Sequence, residues 1–229
     1  MSASSWFWLP SGPGQCAFNM GMDEALLEAM PRLRQPVLRF YGWTERAASF
    51  GYFQHYSEVE RLTALRPLVR RPTGGGIVPH AADWTYSLAV PPAHDWYALH
   101  ATLSYRRVHE WLRAAFAGLG VSTELAPAAL KAQPGQCFAG WEKSDLLLRG
   151  RKIAGGAQRR RRDGLLIQGS VQPEPLPLDR PDWERAMLEA ARREYGVRWT
   201  ELRPDEALQA RARELAAQRY GREEFNRRR

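Results

Sequence analysis

Apolar positions recur along this chain with two periods, one helical and one extended. Phe18, Met22, Ala25, Leu26 and Ala29 share one helical face, which predicts a helix that Pro31 stops. Val108, Trp111, Leu112, Ala115, Phe116 and Leu119 form the cleanest stripe, closed by Gly118 and Gly120. Trp183, Ala186, Met187 and Ala190 mark another helix, and a last amphipathic helix runs from about Pro204 to Arg219. Ser57 to Glu60 has capping-box spacing and opens a short helix ending before Pro67. Extended runs lie between them: Trp6 to Leu9, Val37 to Tyr41 and Ala47 to Phe53 around a Gly-Trp-Thr turn, Leu68 to Arg71, Asp83 to Val90, and Leu165 to Val171. Leu146 to Leu148 and Arg151 to Ala154 read as a β-hairpin turned by Arg149-Gly150, and Pro173 to Pro181 as a linker. Hairpins and helices mix without strict βαβ alternation. The expected class is α+β, with a mixed, largely antiparallel sheet flanked by helices. At about 150 residues per domain, the expectation is one domain over residues 1–229, with a C-terminal helical segment at about 181–229.

Composition narrows the class. A hydrophobic fraction of 44% over 229 residues excludes disorder over most of the chain. No apolar run reaches the ~20 residues of a membrane span, and the start has neither the basic flank nor the apolar length of a signal peptide. No membrane association and a cytoplasmic location are expected. The two cysteines, Cys16 and Cys137, show no zinc spacing, and His55, His94, His100 and His109 form no metal pattern. The net charge of +8 suits an acidic partner. Only three of the 33 basic residues are lysines: Lys131, Lys143 and Lys152. Arginine-rich codon usage works against lysine here, so each one that remains draws attention.

Candidate chemistry gathers in two segments. Arg70-Arg71-Pro72-Thr73-Gly74-Gly75-Gly76 follows a strand and leads to Ile77, Val78 and His80. Three glycines remove side chains and let backbone N–H groups approach a ligand, although the pattern is neither a Walker loop nor GxGxxG, and a flexible turn gives the same sequence. His80 by itself reads as a hydrogen-bonded structural residue, and His109, beside its helical stripe, as a surface or boundary residue. Cys137 lies between an irregular loop and a hairpin, which suits a reactive thiol; Cys16 opens an amphipathic helix and suits a small buried side chain. A nucleophilic cysteine needs a cation or histidine to steady its thiolate, and Lys152 is the candidate within the same segment. Gly155, Gly156 and Ala157 follow it, either to let a ligand lie against the strand or as a bulge. Arg159 to Arg162 read as a solvated hairpin tip, with an acidic partner's landing site or a nucleic-acid patch as the other readings; no interleaved aromatics support the last.

Taken together, these segments resemble one family. Arg70 to His80 resembles the RRxTGG…H segment of the lipoate–protein ligase and octanoyltransferase superfamily, and Gly150 to Gln158 its GRKxxGxAQ lysine segment. Asn19 to Leu26, Arg39 to Trp43, Gly51 to Gln54 and Arg219 to Asn226 are similar to further family segments, in the expected order. Ala81 stands where many members carry an acid, Gln168-Gly169 where His-Gly is common, and Gly76 where octanoyltransferases often carry arginine.

The resemblance implies a catalytic domain like that of biotin protein ligase, acting in lipoate biosynthesis. Cys137, fifteen residues before Lys152, matches the octanoyltransferase branch. That branch takes octanoyl (or lipoyl) groups from an acyl carrier protein thioester, through the cysteine, to a lysine of a lipoyl domain or of the glycine-cleavage H protein. Cys137 and Lys152 are then catalytic. Arg71, Gly74, Gly75, Gly76, Ile77, Val78, His80, Gly155, Gly156, Ala157, Gln168 and Gly169 bind substrate, and no metal or other cofactor is expected. Backbone N–H groups near Gly155 to Ala157 or in the triple glycine are the expected oxyanion donors. The alternative is a lipoate–protein ligase using ATP and Mg²⁺, with Lys152 on the acyl-adenylate; a variant moves the acyl group between lipoyl domains. A non-catalytic binding module or a nucleic-acid binder is the remaining alternative.

Overall fold

Side-chain alternation along the strands sorts the molecule into layers. The computed structural model describes residues 4–130, 138, 140–173 and 178–229. In chain order its elements are β1 (Ser4–Gly14), α1 (Cys16–Leu33), β2 (Val37–Trp43), β3 (Ala47–Phe50), α2 (Tyr56–Leu62), β4 (Leu68–Arg70), β5 (Val78–His80), β6 (Trp84–Val90) and the single turn α3 (Asp95–Ala98). There follow α4 (Ala101–Gly118), β7 (Glu124–Leu125), β8 (Leu146–Leu148), β9 (Arg151–Arg161), β10 (Gly164–Val171), α5 (Arg180–Tyr195) and β11 (Val197–Glu201). Helix α6 (Glu206–Leu215) runs into a π-helical turn (Ala216–Tyr220), and α7 (Glu223–Arg227) comes last.

Eight strands form one sheet in the order β11-β1-β2-β6-β10-β9-β8-β7, and β4-β3-β5 form a second. Within the large sheet only β11·β1 and β1·β2 are parallel; from β2 to β7 every pair is antiparallel. The α+β class with a largely antiparallel sheet is therefore the one the chain adopts. Leu38, Phe40, Tyr86, Leu88, Leu165 and Ile167 pack with α4 and α5 on one face. Val37, Tyr41, Ala89 and Leu166, the intervening positions, pack with α1 and α6 on the other. Trp6, Trp111 and Trp183 are fully buried in the first core, and large side chains like these contribute roughly 1.5–3 kcal/mol each. No helix among the described residues is long and apolar enough to cross a membrane.

Several local expectations change. Helix α1 carries Pro31 within its last turn and closes at Arg34, whose left-handed backbone (φ 58°) donates its N–H to Met30. Proline removes only one late hydrogen bond there, so the helix survives it. The strands flanking Gly42-Trp43-Thr44 do not pair: β2 joins the large sheet and β3 the small one. Strand β3 ends at Phe50, and Phe53 is exposed. Helix α2 begins at Tyr56, without a side-chain cap, so the capping box goes unused. Strand β9 extends through Gly155 and Gly156 to Arg161 in unbroken register with β10, so the glycines form no bulge. The C-terminal segment contains the edge strand β11 between its helices.

Candidate active site

Towards one end of the large sheet, the positions facing α1 turn polar. Arg39, Thr85, Ser87, Gln168 and Ser170 stand where the same face elsewhere carries Val37, Ala89 and Leu166. Asn19 and Asp23, one turn apart on α1, meet them. Asp23 accepts from Arg39 (2.7 Å), Ser87 (2.7 Å), Tyr41 (2.9 Å) and Gln168 (2.7 Å). Burial and the charge of Asp23 push the Tyr41 phenol well above its usual range, which keeps it a donor. Gln168 also accepts from Thr73 (2.7 Å), so this buried network reaches the glycine loop.

The loop is held through its carbonyls. Arg71 donates to the carbonyl oxygens of Gly74 and Gly76, each at 2.8 Å, and to Ser49 Oγ at 2.8 Å. A side chain on Gly51 would come within 1.9 Å of the Gly75 carbonyl oxygen, and Gly75 itself has φ 88°. Here glycine serves loop packing and turn geometry. Beside the loop, His80 is buried, stacked on Trp43 (ring centroids 3.7 Å apart) and bonded to Ser49 (2.6 Å) and Asp83 (3.0 Å).

Lys152 enters from β9. Its Nζ pairs with Asp145 at 2.7 Å and lies 4.9 Å from the Phe138 ring centroid. A methyl group on Gly155 would sit 2.7 Å from Lys152 Cε and 3.1 Å from Asp145 Oδ1, so the missing side chain makes room for the lysine. Asp145 is fully buried and accepts from the Glu142 N–H (2.7 Å) and the Tyr105 hydroxyl. The Gly156 N–H, expected to face an oxyanion, points at Tyr105 Oη (3.2 Å). His109 is not a surface residue. It is wholly buried, bonds the Tyr105 carbonyl (2.9 Å), and its Nε2 lies 4.0 Å from Asp145. Helix α4 is sandwiched between the sheet and α5, so its buried arc is wider than the apolar stripe. Burial lowers the His109 pKa.

These parts wall one cavity of about 460 Å³, counted to its open mouth. Among the expected site residues, Arg71, Val78, His80, Lys152, Gly155, Gly156, Ala157, Gln168 and Gly169 line it. Gly74, Gly75 and Gly76 are not among its walls, and Ile77 packs into the small-sheet core with Phe50, Val59 and Leu68. Cys137 lies outside the described residues. Cys16 is buried, and burial together with Glu45 pushes its thiol pKa up, as suits an inert core residue. Among the described residues, no cluster of three or more His, Cys, Asp or Glu is grouped to hold a metal ion. Sequence reasoning passed over Ser49, Thr73, Asp23, Asp83, Tyr105 and Asp145. Asn19 and Asp23 did carry a signal: two polar residues four apart, amid the apolar positions of a helix.

A model of the lipoyl protein ligase A/B catalytic domain matches residues 15–174. The chain is 35% identical over 184 residues to octanoyltransferase LipM of Bacillus subtilis (strain 168), covering 75% of this chain and 66% of that protein. It is 36% identical over 181 residues to octanoyltransferase LipM of Lysinibacillus sphaericus (strain C3-41), covering 73% and 66%. The matched region thus spans just under two thirds of these curated relatives' length. Among solved structures, lipoate-protein ligase A bound with ATP superposes with a TM-score of 0.81 at 20% identity, covering 98% of each chain. A bi-partite lipoate protein ligase from Thermoplasma acidophilum gives 0.75 at 20% identity, covering 98% and 96%. At such identities the likeness is one of fold.

Proposed function

The chain belongs to the lipoyl protein ligase A/B catalytic domain family, and we propose that it is an octanoyltransferase of lipoate biosynthesis. In this reading octanoate passes from a carrier-protein thioester, through Cys137, to a lysine of a lipoyl domain or of the glycine-cleavage H protein. The observation that carries it is the single cavity to which β9 brings Lys152 and the glycine-loop segment brings Arg71 and His80. The octanoyltransferase names of the relatives support the reaction class.

The chemistry runs in two halves. The Cys137 thiolate attacks the thioester carbonyl, and the carrier thiolate leaves. The Lys152 ammonium, oriented by Asp145, stabilises the attacking sulfur. The acceptor amine then attacks the acyl-enzyme, forming an amide and releasing Cys137. Thioester to amide is downhill, so ATP is not consumed. Arg71 shapes the glycine loop, and the cavity takes the acyl chain beside Val78, Ala157 and Met20. Of the Arg159–Arg162 run, Arg161 is tied to buried Glu24, whereas Arg162 is 95% exposed, with Asp163 3.7 Å away, and is placed to steer an acidic carrier.

Intact-mass measurement after mixing with octanoyl carrier protein tests the reading. The wild-type protein is expected to gain one octanoyl group and the Cys137→Ala variant none. Full transfer by Cys137→Ala that depends on ATP would overturn it in favour of an adenylate-forming ligase.

A further inference from the structure

We propose that Ser49, His80 and Asp83 form a proton relay serving the second half of the transfer, in which the acceptor amine attacks the acyl-enzyme. The inference rests on the transfer reading and adds to it the group that removes the amine's proton.

Hydrogen-bond directions fix the relay. Asp83 is an acceptor and lies 3.0 Å from His80 Nδ1, so Nδ1 carries the ring proton. Thr85 (2.9 Å) and Ser170 (2.8 Å) also donate to the same carboxylate oxygen, which holds it in place. Nε2 is then the basic nitrogen, 2.6 Å from Ser49 Oγ. Arg71 donates to that oxygen from 2.8 Å, which leaves the hydroxyl hydrogen for His80. Trp43 stacks on the imidazole and limits its rotation. Ser49 on β3 and His80 on β5 both line the cavity that receives Lys152. Hydroxyl, imidazole and carboxylate in this order are the arrangement by which a hydroxyl passes a proton to a base.

The transfer needs such a base. When the amine adds to the thioester carbonyl, its nitrogen holds one proton too many. Lys152 Nζ is turned to Asp145 at 2.7 Å, Arg71 is permanently charged, and the Tyr41 hydroxyl is spent on Asp23. Among the described side chains lining the cavity, His80 is the one with a basic nitrogen lone pair turned along a hydrogen-bonded path to the wall. In the step, the amine nitrogen gives its proton to Ser49 Oγ while Ser49 gives its own to His80 Nε2. The C–S bond breaks, Cys137 leaves as thiolate, and the imidazolium returns its proton to solvent.

A purely structural bracket between β3 and β5 would use the same bonds, so the test separates the halves. Acyl-enzyme is formed with octanoyl carrier protein, isolated, and mixed with a lipoyl domain in single turnover. Ser49→Ala is expected to slow the amine step about 100-fold, at least tenfold more than it slows acylation. Ser49→Thr, which keeps the hydroxyl, is expected to restore most of the rate. Asp83→Asn, nearly isosteric, is expected to slow the same half. Amine transfer by Ser49→Ala at the wild-type rate, or equal loss in both halves, overturns the relay and leaves the transfer reading standing. Failure of the wild-type protein to form acyl-enzyme at all overturns both.

Discussion

Gly155 and Gly169 lie one register step apart in the β9·β10 ladder, opposite Ser170 and Gly156, and each lacks a side chain for a different reason. A methyl group at Gly155 meets the mobile end of Lys152, at 2.7 Å from Cε and 2.8 Å from Nζ. The lysine has to swing aside, and its ammonium leaves its place beside buried Asp145, whose carboxylate loses its charged partner. Gly155→Ala is therefore expected to lower kcat/KM for octanoyl transfer by about 100-fold and to cost roughly 3 kcal/mol of stability through the unpaired carboxylate. Steady-state transfer assays paired with thermal melts check this. A methyl group at Gly169 instead meets the rigid Tyr86 ring at 2.2 Å. Gly169→Ala is expected to cost roughly 1–3 kcal/mol of stability, read as a lower urea midpoint.

At the scale of elements, what was legible in the sequence was what is local. The α4 stripe, the hairpin from Leu146 to Ala154 and the strand leading into the glycine loop each show in consecutive residues, because period alone decides them. The polar layer under α1 left only the Asn19 and Asp23 spacing as a signal, and its partners were hidden. Asp23 reads as a solvent-facing helix residue until Arg39, Ser87 and Gln168 arrive from three strands to satisfy it. The same holds for Asp145, an acid before three leucines whose partners Tyr105 and Lys152 come from α4 and β9. The glycine loop and Lys152 stood out as site segments by residue type. The oxyanion role expected of Gly156 did not follow, since its N–H meets Tyr105. Ser49, a small polar residue within an apolar strand, gave no sign of facing His80.

At the scale of the molecule, one buried carboxylate joins the first helix to the last ones. Glu24 on α1 accepts from Arg219 (2.7 Å), Tyr220 (2.6 Å) and Arg161 (2.7 Å). Burial alone would raise its pKa. Hydrogen bonds from Tyr220 and Arg219, with the charges of Arg219 and Arg161, outweigh burial and hold it below the usual 4.5. A carboxyl lowered by folding stabilises the native state above its unfolded pKa, and that stabilisation is lost as pH falls through the folded value. Urea titrations from pH 7 to pH 3 are expected to show stability falling below about pH 4.5, with a shallower fall in Glu24→Gln.

Asn226 on α7 accepts from the Arg70 N–H and, through its own carbonyl, from the Arg70 guanidinium, both at 2.8 Å. Strand β4, which delivers Arg71 to the cavity, is thus fastened by residues made more than 150 positions later. During synthesis the glycine-loop wall has no anchor at this point until residue 226 has left the ribosome. A nascent chain stalled before it holds Lys152 and Asp145 but lacks the clasp on β4, so this side of the cavity gains its last fastening only once residue 226 is made.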